Sequence, residues 1–349
     1  MKFVRLLIAT CILFIASLFI NIIQICVGLA FTNFIYIERL LIDIYGTLVI
    51  YVTRYLGMLI IPQIHVSGID KLYALRNKTV VITSNYTGRA DWLVLVLIAY
   101  QCGTLGCIKI VCSSFMRCIP GAGWIAALGN FPMLHGDWNR DRPLLETMCN
   151  TYALQHNADY PSWIFIFPEG KYVADFKDPL ISLSRRFCLE RRIGLYTHVL
   201  CPRIKGTQFI VSQLRTAIPD LCVIDLHISY TGLLKSWLPL TSPERVAPSV
   251  ANFFAEPYIR NISIDITEVD ITRDNWIYSL FALKNDMISG SVRQVPLGRD
   301  IRHKKITLIC LLVFIAVLKM FSMLWLAYYA FLCLVAHTMY NYVYSSVKL

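Results

Sequence analysis

Residues 6–37, "LLIATCILFIASLFINIIQICVGLAFTNFIYI", contain no charged side chain. A helix needs about 20 apolar residues to cross a bilayer, so this run is long enough to span with some tilt. Lys2 and Arg5 precede it. A signal peptide is the rival reading, but its apolar core would be only about 7–15 residues. The run therefore reads as an uncleaved anchor. A second apolar stretch, 40–62, is broken by Asp43 and Arg54. It reads as a segment lying in the interface or packed on a domain.

The C-terminus carries the same signal. "ITLICLLVFIAVL" (306–318) and "MFSMLWLAYYAFLCLVAHTMY" (320–340) flank Lys319, and read either as one long tilted helix or as a shallow hairpin. The basic run "RDIRHKK" (299–305) before them belongs on the cytosolic side, against anionic headgroups. These ends explain a chain that is 56% hydrophobic and only 16% charged, with a net charge of +11. No basic module interleaved with aromatics is present, so nucleic acid is not the expected partner. The twelve cysteines include no CxxC pair. No metal site is expected, and a reduced, cytosol-facing domain fits better than a disulfide scaffold.

Between the ends, short apolar runs alternate with helical patterns. Strands are expected at 62–67, 79–84, 107–112, 130–134, 163–167, 198–202, 222–230 and 260–267. Helices are expected at 91–101, 115–127, 141–155, 180–192, 206–216 and 273–287. This alternation argues for an α/β fold, a mostly parallel sheet covered by helices. "PLTSPERVAPS" (239–249) has three prolines in eleven residues and reads as a loop. The organisation is an anchor and interfacial segment (1–60), an α/β domain (61–290), a basic juxtamembrane segment (291–305) and C-terminal membrane helices (306–345). In such a sheet, chemistry belongs to the loops at the carboxyl ends of strands. The polar turns 84–91, 168–171 and 202–206 meet that condition.

Four segments occur in order: "SNYTGRADW" (84–92), "GWIAALGNFPMLHGDWNRD" (123–141), "FPEG" (167–170) and "LCPRIKG" (200–206). Together they resemble the PlsC-like glycerolipid acyltransferases. Within that family they resemble the eukaryotic lysophosphatidate, lysocardiolipin and lysophosphatidylinositol acyltransferase branch. That branch has Asn-His-x4-Asp-Trp, Gly-Trp before a Phe-x-x-Arg-x-Trp-type segment, Phe-Pro-Glu-Gly, and Leu-x-Pro-Arg-x-x-Gly. "NWIYSLFALKNDM" (275–287) resembles its Trp-led helix ending in a Lys-Asp pair. The resemblance implies an endoplasmic-reticulum membrane enzyme with its domain at the cytosolic face, using acyl-CoA as co-substrate and no cofactor. It also implies a lysophospholipid acceptor and contact with membrane lipids.

In the family a histidine takes the proton of a glycerol hydroxyl as its oxygen attacks the thioester, and an aspartate orients that histidine. Here Asp91 holds the aspartate position, but Tyr86 stands where the histidine is expected. A phenol titrating near 10 is a weak base at neutral pH. Asp91 serves either the site or the helix beginning at Trp92, as its cap. Gly136 stands where a phosphate-binding arginine is expected, and Lys171 replaces the usual threonine after Phe167, Pro168, Glu169 and Gly170. Lys171 is the first choice to supply the missing cation, with Arg89 and Arg140 as alternatives. Pro202 and Arg203 complete the implied substrate-binding set. His135, beside Gly136, is the candidate for a displaced base. His65-x4-Asp70 copies the signature spacing but precedes the strand it should follow, and reads as a decoy. The chain is then either an active lysophospholipid acyltransferase with altered catalysis, or a protein that binds lipid or acyl-CoA without turnover.

Overall fold

The computed structural model describes residues 2–30, 35–56, 63–232, 235–250, 259–273 and 275–289, all within one compact unit, Met1–Ile301. The expected basic segment and C-terminal helices lie outside the described residues.

The sequence VVITS folds as β2 (Val80–Ser84), and WIFI folds as β6 (Trp163–Ile166). Every residue of both strands is buried. Uninterrupted apolar strands are what a parallel sheet covered on both faces requires. With β1 (Gln63–Ser67), β3 (Ile108–Ile110), β7 (Cys222–Gly232) and β8 (Ile259–Glu268) they form a six-stranded sheet ordered β1-β8-β7-β2-β6-β3. Four of its five pairings are parallel, and β7 and β8 run antiparallel. The expected α/β class holds. A separate pair, β4 (Cys112–Ser113) with β5 (Met133–Leu134), lies parallel.

The strand period sorts the core into two layers. Val80, Ile82, Trp163, Phe165, Ile224 and Leu226 pack with α1 (Lys2–Ala30), α2 (Ile35–Leu56) and α4 (Asp91–Cys102), while α3 (Ile69–Ala74) lies beside β8. Val81, Ile164, Ile166 and Val223 pack on the opposite layer. That layer holds α6 (Trp138–Asn157), α8 (Ile204–Ala217) and α9 (Trp276–Ser289). Helix α4 is buried almost all round, as a helix held between sheet and α2 must be, and Gly103 ends it in the left-handed conformation at φ 71°.

Two expected elements differ. The helix expected at 115–127 is interrupted at Ile119-Pro120-Gly121, giving a 3-10 turn at Ser114–Cys118 and a short α5 (Ala122–Leu128). Gly121 adopts φ 86° there, which no helix interior contains. The strand expected at 198–202 is absent. Its amides bond side chains instead of a ladder: Leu200 N–H donates to Glu169, Cys201 N–H to Ser184 Oγ and His198 N–H to Asn285. Helix α7 (Pro179–Glu190) carries that serine.

Helix α2 is fixed to the sheet edge. Lys109 of β3 donates to Glu38 at 2.9 Å and to the Gly129 carbonyl at 2.5 Å, with both ionic side chains buried. A Cβ on Gly106 would stand 2.7 Å from the Arg39 carbonyl, so only glycine admits α2 this closely. Removing one partner strands a buried charge, which costs about 3–5 kcal/mol. Glu38→Ala should lower the thermal midpoint sharply, and Glu38→Leu with Lys109→Met should recover most of it, as read by calorimetry of the full chain in detergent.

Candidate functional site

The β2–β7 ladder ends at Ser84↔Leu226. Beyond it, the Asn85 amide continues the pairing by side chain. Its oxygen accepts from Ile228 N–H and its nitrogen donates to the Ile228 carbonyl, both at 2.8 Å. The chain then turns, and Thr87 and Gly88 donate their N–H groups to Asp91 Oδ2 at 2.5 and 3.0 Å. Tyr230 donates its hydroxyl to Asp91 Oδ1 at 2.6 Å. Asp91 is thus the first residue of α4 and ties the preceding turn. It does not cap the helix that follows. Gly88 is pressed against the proline loop, where a Cβ would meet the Pro248 carbonyl at 2.3 Å.

The second turn follows β6. Gly170 sits at φ 70° and closes the turn by donating to the Phe167 carbonyl at 2.9 Å. Pro168 and Glu169 are buried, and Gly170 and Lys171 are exposed. Glu169 accepts from Tyr86 N–H at 2.7 Å with one oxygen and from Leu200 N–H at 2.8 Å with the other. Arg203 N–H donates to the Pro168 carbonyl at 2.7 Å. Pro202 is buried beside it, while the exposed Arg203 side chain runs along Gly170, 3.6 Å from where a Cβ would sit. Three distant segments therefore meet at one carboxylate.

Tyr86 is half-buried at this junction. Its ring stacks on Phe167 at 4.4 Å and 21°, with Tyr172 tilted at 5.3 Å. Arg89 reaches the Tyr172 hydroxyl and lies over its ring. Burial, with Asp91 adding to it, pushes the Tyr86 phenol up to about 12. The carboxyl of Asp91 bonds backbone and Tyr230, so it makes no described bond to the Tyr86 hydroxyl.

His135 is exposed, and no described hydrogen bond joins its imidazole to the 84–91 turn. Its N–H and that of Gly136 donate to Asp141 at 2.7 and 2.8 Å, repeating the Asp91 arrangement. Gly136 has φ 84°, with nothing within 4 Å of a Cβ. The space would take a side chain, but the backbone favours glycine. Arg140 lies 3.9 Å from Asp137 on the exposed face of α6. Trp138 instead joins α6 to α8, edge-on to Phe209 and under Lys205. His65 lies on β1 at the sheet edge, with β8 and β7 between it and β2. The decoy reading of His65 and Asp70 fits that placement.

The structure adds residues that sequence reasoning missed. Tyr230 and Arg245 come from distant strand and loop. Arg245 donates to the carbonyls of His198 and Leu238, while its buried Nε–H has no partner among the described residues. Burial draws its guanidinium down to about 10, opposed by Glu169 and then Asp91. Lys284 pairs with buried Asp225 at 2.8 Å, and Asn285 holds Thr197 and His198 N–H. The Trp-led segment 275–287 was the available signal for the last two. Nothing local marked Arg245 within a proline-rich loop.

Burial pushes both Asp91 and Glu169 up to about 7, opposed by the donors each accepts. Both folded values exceed the unfolded ones, so the native state holds protons that the unfolded chain releases. The contribution is full below about pH 4 and is lost as pH rises towards 7. The melting temperature should fall across that window, and Glu169→Gln should flatten the fall. Asn85→Ala leaves Ile228 N–H and C=O buried and unpaired, and should cost about 1–3 kcal/mol in denaturant unfolding.

The family model described as Acyltransferase matches residues 63–223. The chain is 29% identical over 150 residues to lysocardiolipin acyltransferase 1 of Mus musculus, covering 43% of this chain and 38% of that protein. It is 25% identical over 240 residues to probable 1-acyl-sn-glycerol-3-phosphate acyltransferase 5 of Arabidopsis thaliana, covering 67% and 60%. It is 24% identical over 219 residues to 1-acyl-sn-glycerol-3-phosphate acyltransferase epsilon of Mus musculus, covering 61% and 58%. The matches therefore span 38–60% of these relatives' lengths. The matched region holds the turns joined by Glu169, and over it the chain is similar to the Acyltransferase family and to these lysophospholipid acyltransferases.

Proposed function

We propose that the chain transfers an acyl group from acyl-CoA to the free hydroxyl of a lysophospholipid, 1-acylglycerol-3-phosphate or a related lipid, in phospholipid synthesis or remodelling. The observation that carries this reading is the meeting of 84–91, 167–171 and 200–206 around the buried Glu169 carboxylate. The relatives' names supply the substrate class. Both substrates are amphiphiles, which suits a chain whose α1 contains 22 residues, Leu7–Gly28, long and apolar enough to cross a membrane. The family resemblance favours the cytosolic face of the endoplasmic reticulum.

In this reaction the hydroxyl oxygen attacks the thioester carbon and the CoA thiolate leaves. The attacking oxygen loses its proton and the departing thiolate takes one up, so the products are the acylated lipid and the CoA thiol. Tyr86, held protonated at neutral pH, donates a hydrogen bond to the developing oxyanion but accepts no proton. Asp91 and Glu169 titrate near neutrality, yet their oxygens already accept from backbone N–H groups and Tyr230. The site then works by positioning without a general base, and transfer is slow. Arg203 and Lys171, exposed on either side of Gly170, are the cations offered to the acceptor phosphate. The competing reading, binding without turnover, rests on Tyr86, and the relatives give it no support.

The test is labelled acyl transfer by the purified full chain in lipid nanodiscs with a panel of lysolipids. Transfer above a protein-free blank is expected, with Tyr86→His faster by about 10²–10⁴-fold. His135→Ala should leave the rate unchanged, and Arg203→Met should raise KM for phosphate-bearing acceptors about tenfold. Turnover only after Tyr86→His would establish a binding protein instead. No turnover by either form would overturn the reading.

A further inference from the structure

The buried side of helix α1 carries polar residues beside Ala9 and Ile20, and its outward side is mostly apolar. Leu7, Ile8, Phe14, Ile15, Ile22 and Ile25 face outward, between 37% and 59% exposed, whereas Ser17, Asn21 and Gln24 are buried. Water favours the reverse, but a helix in lipid turns its polar groups toward protein. The polar stripe meets α5. With its amide turned so that the oxygen faces a donor, Asn21 donates to the Gly121 carbonyl at 3.2 Å and accepts from Ile125 N–H at 3.1 Å. A Cβ on Gly121 would stand 2.1 Å from Ser17 Oγ, so the two elements are in close contact.

The segment that α1 holds has the same outward chemistry. Phe115 is 67% exposed, and Ile119, Trp124 and Leu128 are 38%, 41% and 37% exposed. Their exposed neighbours Cys118, Pro120 and Ala122 carry no charge, and Arg117 alone is ionic. No Asp or Glu occurs anywhere in residues 92–136. The Trp124 indole N–H is satisfied by the Arg117 carbonyl at 3.1 Å, which frees the ring for an apolar surrounding. The patch adjoins α1 through the α1–α5 contact, where the exposed Phe14 ring lies 3.7 Å from the place of a Cβ on Gly121.

We propose that residues 114–128 form a second lipid-contacting element, lying at the headgroup–acyl boundary of a phospholipid bilayer beside α1. Phe115, Ile119, Trp124 and Leu128 are its anchors, and Arg117 takes anionic headgroups. β4 leads directly into this element and pairs with β5, which precedes His135 and Gly136. The inference rests on α1 lying in lipid, not on acyl transfer.

The test places p-benzoylphenylalanine, one position at a time, at Phe115, Trp124, Ile15 and Leu154 of the full chain. Leu154 is 71% exposed on α6 and serves as the water-facing control. The proteins are illuminated in vesicles of phosphatidylcholine and phosphatidylserine, and lipid adducts are read by mass. Adducts at Phe115 and Trp124 should match Ile15 within about twofold and exceed Leu154 about tenfold. An adduct at Ile15 alone overturns this inference and leaves α1 in the membrane. No adduct at Ile15 removes its premise and overturns it too. Cross-linking of Phe115 or Trp124 to a polypeptide, including a second copy, shows that protein covers the patch and likewise overturns it. An inactive protein serves equally, so this outcome is separate from that of the transfer assay.

Discussion

The site depends on side-chain oxygens that accept pairs of backbone N–H groups. Glu169 takes those of Tyr86 and Leu200, Asp91 those of Thr87 and Gly88, Asp141 those of His135 and Gly136, and Asn285 those of Thr197 and His198. Turns buried at the ends of strands lose water as a partner, and an unpaired buried amide costs about 1–3 kcal/mol. A carboxylate in the same place loses solvation as well. Each need answers the other, which is why short polar turns can lie this deep. The arrangement fixes the relative placement of three segments far apart in the chain without any contribution from the Tyr86 side chain.

That division explains how the turn can keep the resembled pattern with a tyrosine at position 86. Asp91, Glu169, Asn85 and Gly170 shape the turns, so they are required for the fold whatever the turnover. Tyr86 contributes its backbone N–H to the clamp, and any residue but proline can supply that. Its side chain is free to differ, and stacking on Phe167 gives the substituted ring a packed place. Retention of the motif therefore speaks first for architecture. What the side chain at position 86 does is a separate question, decided by its titration and by what lies against it.

Much of this was legible in the sequence. The unbroken runs of β2 and β6 announced a buried parallel sheet, and the polar turns after them were rightly placed at strand ends. The segment 198–202 misled because an apolar extended run looks like a strand whether its amides face another strand or the side chains of Glu169, Ser184 and Asn285. The apolar pattern over 115–127 masked a break that Pro120-Gly121 signals, since proline cannot continue a helix and Gly121 takes a positive φ. The partners of Asp91 and Asn85 were not readable. Tyr230 lies 139 positions from Asp91, and Ile228 lies 143 from Asn85, so only the β2–β7 pairing brings them together. The pairing of Glu38 with Lys109 was not readable either, since 71 positions separate them and only the packing of α2 on β3 joins them.

The buried Glu38–Lys109 pair also has a consequence for placement. Its net contribution to stability is modest, because desolvating both ions offsets much of their attraction. Its geometric contribution is larger, since a misregistered α2 would leave both charges unpaired in an apolar layer. α1 packs on α2 and α5, and α2 is fixed to β3, so the apolar outer surface of α1 is held in one orientation relative to the sheet. The layer made by α1, α2 and α4 then faces lipid in the proposed arrangement, and that of α6, α8 and α9 faces water. The turns joined by Glu169 lie at the strand ends between these layers, where an amphiphilic acceptor can present its headgroup while its chain stays in the bilayer.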